Sequence, residues 1–235
     1  MRLLALDAAT EACSVALLVN GDVLLRSMES GQGHAQSLLA MVEQVLAEGG
    51  VSLSMLDGMA ASIGPGAFSG VRISVAVAQG LAFGADLKVV PVTTLEALAL
   101  QVLPAGEARA VACLDARMSE VYWGCFAAQG ARGVIPVLGP GVAAPEALIA
   151  TVAGSDPGAG GRLIGVGRGF FAYPALAGLP GLQINAEQHR ALPSAREIAR
   201  LGALRLVSGV DAADLQPLYL RDKVALTEAE RAAGK

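Results

Sequence analysis

Charged, aromatic and histidine side chains are all scarce in this chain, and each shortage removes a class of function. Charged residues make up 16% of the sequence and sum to −4, against about a quarter in an average soluble domain. No basic footprint therefore marks a surface for independent RNA binding. Aromatic residues, at 4%, are too few for a platform on which single-stranded nucleic acid stacks. His34 and His189 are the only two histidines, and position 38, one turn after His34, is Leu. No i, i+4 pair offers a metal one face of a helix, so no metal site is expected. Cys13, Cys113 and Cys125 are odd in number and lack C-x-x-C spacing, which argues against a disulfide framework and leaves each as a small hydrophobe in an apolar run. Gly-x-Ser-x-Gly is absent; Ser14, Ser62, Ser69 and Ser74 have no histidine partner close in sequence, so a peptidase triad exists only if folding assembles one. The apolar opening is broken by Asp7 and Glu11 before a signal-peptide core forms, and the apolar helix pattern over 71–83 is too short to span a bilayer. A cytoplasmic protein with no membrane partner is expected.

Apolar residues, at 54%, and glycine, at 29 residues, are what the chain has in excess. So much apolar surface implies that a partner covers some of it. The glycines converge on Gly64-Pro65-Gly66-Ala67-Phe68-Ser69-Gly70-Val71-Arg72, between a short apolar run over 59–63 and the apolar helix pattern. Glycine permits positive φ and close backbone approach, while Pro65 fixes its own φ. Such a strand-to-helix turn either holds an anion on free backbone N–H groups or lets the helix pack tightly on the sheet. The residues leave both readings open.

Strands are predicted over 2–8, 13–20 and 22–28, with Asn20-Gly21 as a hairpin turn. A helix over 35–48 carries Ala35, Leu38, Leu39, Val42, Val45 and Leu46 on one stripe and ends at Gly49-Gly50. A strand over 59–63, the glycine loop and its helix, a strand over 88–92 and a third helix capped at Thr93-Thr94 complete the first half. The second half restarts the plan with strands over 109–116, 120–128 and 133–138, a helix over 145–152 and a strand over 162–166. Leu6-Asp7-Ala8 is echoed by Leu114-Asp115-Ala116, and Ile63-Gly64-Pro65-Gly66 by Ile164-Gly165-Val166-Gly167. Residues 155–161 read as a loop, Ser194 caps a last helix to about Val207, and the charged tail after Arg221 is expected to fray. The fold class is therefore α/β, with mixed sheets and flanking helices. Residues 1–105 form an N-terminal unit and 106–235 a C-terminal unit with the last helix and tail. The plan resembles the tandem actin-like subdomains of sugar kinases and heat-shock chaperones, where an Asp after the first strand of each half faces a nucleotide.

The glycine loop also resembles the G-P-G-S-F-T-G-x-R signature of the bacterial TsaB (YeaZ) family, with Ala67 and Ser69 at the Ser and Thr positions. Leu6-Asp7-Ala8-Ala9-Thr10, Gly33-His34 before the first helix and Pro217-Leu218-Tyr219-Leu220-Arg221 extend the match over essentially the whole chain. The resemblance implies a non-catalytic, activating scaffold subunit of the assembly that makes threonylcarbamoyladenosine beside the anticodon of tRNA. It implies a heterodimer with the catalytic paralogue, the transferase TsaD, through the first two helices. The ATPase TsaE joins the assembly, and tRNA is met through the complex. A homodimer through the same helices is the alternative when the chain is alone.

Two sets of residues are singled out. His34, Leu38, Leu39, Met41, Val42 and Val45 on the first helix, and Arg72, Val75 and Gln79 on the second, form the expected partner interface. A helix apolar all round needs cover on both sides; cover by the chain's own second half is the alternative. Asp7, Thr10, Gly64, Gly66, Gly70 and Asp115 form the other set, either structural or the vestige of a nucleotide site. The turns Asp7-Ala8-Ala9-Thr10 and Asp115-Ala116-Arg117 lack the glycine of an actin-like phosphate turn, which crowds a bound phosphate. No cofactor and no catalytic residue are assigned. Arg190, Arg196, Arg200 and Arg205 are either a tRNA contact or a solvated helix face. Two competing functions remain: an ATP-dependent small-molecule kinase of actin-like fold, and a peptidase.

Overall fold

The computed structural model describes residues 1–29, 34–103, 108–130, 133–155 and 162–221, with His34 described by its backbone alone. The first half runs β1 (Arg2–Asp7), β2 (Ala12–Val19), β3 (Asp22–Glu29), α1 (His34–Gly49), β4 (Gly58–Ser62), α2 (Phe68–Ala85), β5 (Val89–Val92) and α3 (Thr94–Val102). The second runs β6 (Arg109–Arg117), β7 (Glu120–Ala128), β8 (Val134–Ala143), α4 (Pro145–Gly154), β9 (Leu163–Val166), α5 (Gly169–Ala172), β10 (Leu182–Gln183) and α6 (Ala195–Arg205). The first sheet has the order β3-β2-β1-β4-β5, and the second repeats it as β8-β7-β6-β9-β10. In each, the first three strands pair antiparallel and the last two join parallel. The duplication faint in the letters is complete in the topology.

The inner strands of both sheets are covered on both faces, which is why they read as continuous apolar runs, while the edge strands β3 and β8 are partly exposed. Leu4 and Leu6 of β1 meet α1 and α2 on the outer side, while Leu3 and Ala5 meet α3 and α6. In β6, Val111 and Cys113 face outward to α4 and α5, and Ala110, Ala112 and Leu114 join the central core with α3 and α6. The layers therefore run helix, sheet, helix, sheet, helix. Thr93 caps α3 through a reciprocal box with Glu96, whose carboxylate also takes a 2.7 Å bond from Arg205 of α6. That pairing removes Arg205 from the candidate tRNA contacts.

The elements differ from expectation where tertiary contacts override local signals. The last helix, counted by sequence with the second half, packs on β1, β2, β4 and β5 of the first. It stops at Arg205, and Leu206–Ser208 turn as a 3-10 segment. β8 continues to Ala143 through Gly139-Pro140, which reads as a break; it is an edge strand with an irregular register, where proline is tolerated. α2 is longer than the expected 71–83, and at 18 residues with mean hydropathy 1.3 it reaches membrane-spanning length. Its Val71, Val75, Ala78 and Ala82 are buried, and the last three pack into the first half's outer core. Residues 156–161, the tail beyond Arg221, Gly33 and the boundary between 105 and 106 lie outside the described residues.

The thiols of this core are inert for a physical reason. Burial, with Asp7 adding to it, pushes Cys13 up to about 12. Burial pushes Cys125 up to about 11, against the pull of Arg109, and Cys113 rises by burial as well. Only the thiolate reacts. Ellman's reagent at pH 8 is expected to titrate no thiol on the native chain and all three after denaturation; rapid native labelling would contradict this burial.

Candidate functional site

The glycine loop is held from three sides. Ala67 N–H donates to the Ala9 carbonyl at 2.7 Å, and Thr94 N–H to the Gly64 carbonyl at 2.9 Å. Thr94 Oγ1 bonds the Pro65 carbonyl, and Leu218 N–H donates to the Ile63 carbonyl at 2.7 Å. A side chain on Gly66 would overlap the carbonyl oxygen of Ala9, and one on Gly70 that of Ala8. Gly64 has φ +98 and lies against Val71 and the Leu218 carbonyl. The spaces left by the missing side chains are thus filled by carbonyl oxygens of the β1–β2 turn, which repel an anion. Gly66 and Gly70 thus serve close packing of α2 on that turn. The second half repeats the device, since Gly167 and Gly169 press on the Cys113 backbone.

Asp7 and Thr10 serve the same turn. Fully buried Asp7 accepts from Ala9 N–H at 3.1 Å and from Ser62 Oγ, which lies 3.1 Å from Ser74 Oγ. Thr10 Oγ1 accepts from Ala12 N–H at 3.4 Å. An Asp at a strand end that fastens its own turn is the structural use expected of this residue type. Asp115 is one-fifth exposed; it accepts from Arg117 N–H at 2.7 Å, from Tyr173 Oη at 3.2 Å, and pairs with the Arg117 guanidinium at 3.0 Å. Burial and then Asp115 raise the Tyr173 pKa. Arg117, Met118 and Ser119 all have positive φ, at 62, 53 and 61, which costs about 1–2 kcal/mol for each residue.

Between these two turns lies a cleft of about 600 Å³. Of the second residue set Thr10, Gly66, Gly70 and Asp115 line it, and Asp7 and Gly64 do not. Arg168, Met118, Tyr219 and Arg221 line it too, and sequence reasoning missed them. The match at Pro217–Arg221 was the available signal, but nothing local said what those residues touch. Arg168 pairs with Glu29 and lies 4.0 Å from Glu11, closing one rim across the halves. Ser14 accepts from Ala195 N–H at 2.9 Å, and Ser14, Ser62 and Ser74 are buried. Among the described residues no three His, Cys, Asp or Glu side chains gather as a metal site.

The expected interface is corrected in most of its members. Leu38, Met41, Val42, Val45 and Val75 are buried in the first half's own outer core. A stripe that covers its own sheet cannot also face a partner. Gln79 donates to the Leu215 carbonyl at 3.0 Å. Arg72 lies 3.8 Å over the Phe68 ring and donates from Nε to Tyr219 Oη at 2.9 Å. Leu39 keeps its place outside, 46% exposed, with Ala40, Glu43 and Ala47. On α2 Ala76, Gly80 and Phe83 point outward, the last 83% exposed, and Arg72 and Gly84 are exposed as well.

Two repeated five-stranded sheets, each with a glycine turn pressed on its first hairpin, define a tandem actin-like α/β protein. The family described as TsaD, tRNA N6-adenosine threonylcarbamoyltransferase, matches residues 28–228. The tRNA threonylcarbamoyladenosine biosynthesis protein TsaB of Escherichia coli is 35% identical over 96% of both chains. Its namesake in Haemophilus influenzae is 34% identical over 95% of both. The solved structure of YeaZ from Pseudomonas aeruginosa is similar with a TM-score of 0.82 at 38% identity, covering 93% of this chain and 99% of that one. The chain belongs to the TsaB (YeaZ) family.

Proposed function

We propose that the chain is a non-catalytic, activating subunit in the formation of threonylcarbamoyladenosine on tRNA, and that it works in the cytoplasm by docking on a TsaD-type transferase. The observation that carries this reading is the glycine signature turned inward. Its residues fix α2 against the β1–β2 turn, and the side of α2 away from the core is left as an exposed apolar face beside Leu39 of α1. The names of the relatives support the pathway, and the transferase family matched over most of the chain supports the kind of partner. A TsaE-type ATPase and tRNA meet the chain through that complex. The kinase reading is disfavoured by the carbonyl-filled glycine spaces, and the peptidase reading by the burial of Ser14, Ser62 and Ser74; the fourth serine, Ser69, is exposed in the cleft, so the peptidase reading rests on it alone. Deleting the gene is expected to remove threonylcarbamoyladenosine from tRNA digests analysed by mass spectrometry, with recovery on re-expression. Unchanged levels of the nucleoside would overturn the proposal.

A further inference from the structure

After α6 the chain returns along the first half as a strap. Val210 and Val89 exchange two backbone bonds of 2.9 Å. The Leu215 carbonyl accepts from Gln79, Leu218 N–H donates to Ile63, and Tyr219 Oη accepts from Arg72. Two residues later Arg221 crosses to the other half, where it bonds Glu120 and lies 3.5 Å from Met118 Sδ in the β6–β7 turn. The strap is thus fastened to β4 and α2 along its length and hooked at its end to the second half.

We propose that Leu215–Arg221 is a latch that sets the spread of the cleft and passes it to α2. The turn it grips holds three successive non-glycine residues at positive φ, an arrangement that persists only where its surroundings impose it. The hook is a partly buried ion pair, with the Arg221 and Glu120 side chains 15% and 37% exposed, so it holds the strap end and is only partly screened by salt. Arg168 clasps the opposite rim to Glu29, but only the Arg221 side is carried on a segment bonded to α2. Opening the cleft therefore pulls on Gln79 and Arg72, which flank the outward face of that helix. The inference concerns the isolated chain and stands apart from any docking partner.

The test is double spin labelling of the full chain at Gln44→Cys on α1 and Ala150→Cys on α4, both exposed, against a background of buried native cysteines. The parent is expected to give one narrow distance distribution that broadens little between low and about 1 M salt, because the hook is partly buried. Arg221→Ala is expected to be broad at every salt, with amide exchange over 117–120 and 68–72 about threefold to tenfold faster. Glu120→Gln, which leaves the strap intact, is expected to act alike, and the double variant Arg221→Glu with Glu120→Arg to restore the parent. Unaltered exchange in the α2 interior identifies a folded variant. If folded Arg221→Ala and Glu120→Gln both match the parent in distance and exchange, the latch does not exist.

Discussion

Gly70→Val is expected to lower the melting temperature of the isolated chain by about 2–12 °C, with Gly66→Val close behind. The argument is steric and local. At both positions the obstacle to a side chain is a backbone carbonyl, Ala8 for Gly70 and Ala9 for Gly66, so no rotamer change relieves it. The β1–β2 turn must move, and that turn is tied to buried Asp7 and through it to Ser62 and Ser74. Overpacking of this kind costs up to about 3 kcal/mol, which for a domain of this size is about 2–4 °C for each kcal/mol. Gly80→Ala is the matched control on the same helix. Nothing lies within 4 Å of its added methyl, so replacing a mid-helix glycine is expected to stabilise by about 0.5–1 kcal/mol. Thermal denaturation by circular dichroism reads both. If Gly70→Val melts with the parent while losing a bound nucleotide, the loop is a phosphate cradle and not a packing device.

The contrast between these glycines also marks how far the sequence reaches. Strand positions and the two-half repeat were legible because apolar runs bounded by Asn20-Gly21 and by the echoed Leu-Asp-Ala motifs carry local information, whereas the order of strands within each sheet was not. The glycine loop was legible as a site of close approach, but its neighbour was not, since Ala8 and Ala9 lie more than fifty positions away in sequence. The same limit governs the strap. Pro217–Arg221 stood out as a motif, yet its bonds to Ile63, Arg72 and Glu120 depend on α6 crossing back to the first sheet, which no periodicity encodes. Five of the expected interface positions were misplaced for a different reason. Apolar periodicity reports that a helix face is covered and says nothing of what covers it, so Leu38, Val42 and Val45 were assigned to a partner although they cover the chain's own sheet.

That correction decides where the docking face must be probed. Val75→Glu is a poor test, because Val75 is buried among β1, β4 and the strap, and an unpaired charge there unfolds the chain before it disturbs any partner. Ala76→Arg, one residue on, points outward with Gly80 and Phe83. Expected outcomes differ accordingly. Ala76→Arg alone should leave the melting curve within about 0.5 kcal/mol of the parent, since an arginine on an exposed helix face costs little. Between two closely packed helices the same arginine is desolvated without a counter-charge, and affinity for a TsaD-type partner should fall by about 100-fold or more in calorimetry. Leu39→Arg on α1 should follow it with the same pattern, and Glu146→Arg on exposed α4 should leave binding unchanged. Retained affinity in both Ala76→Arg and Leu39→Arg would move the docking surface off these helices altogether. Joint loss, with folding intact, would tie the small residues at 76 and 80 to their physical use, which is to let a second helix approach the backbone where larger side chains hold it away.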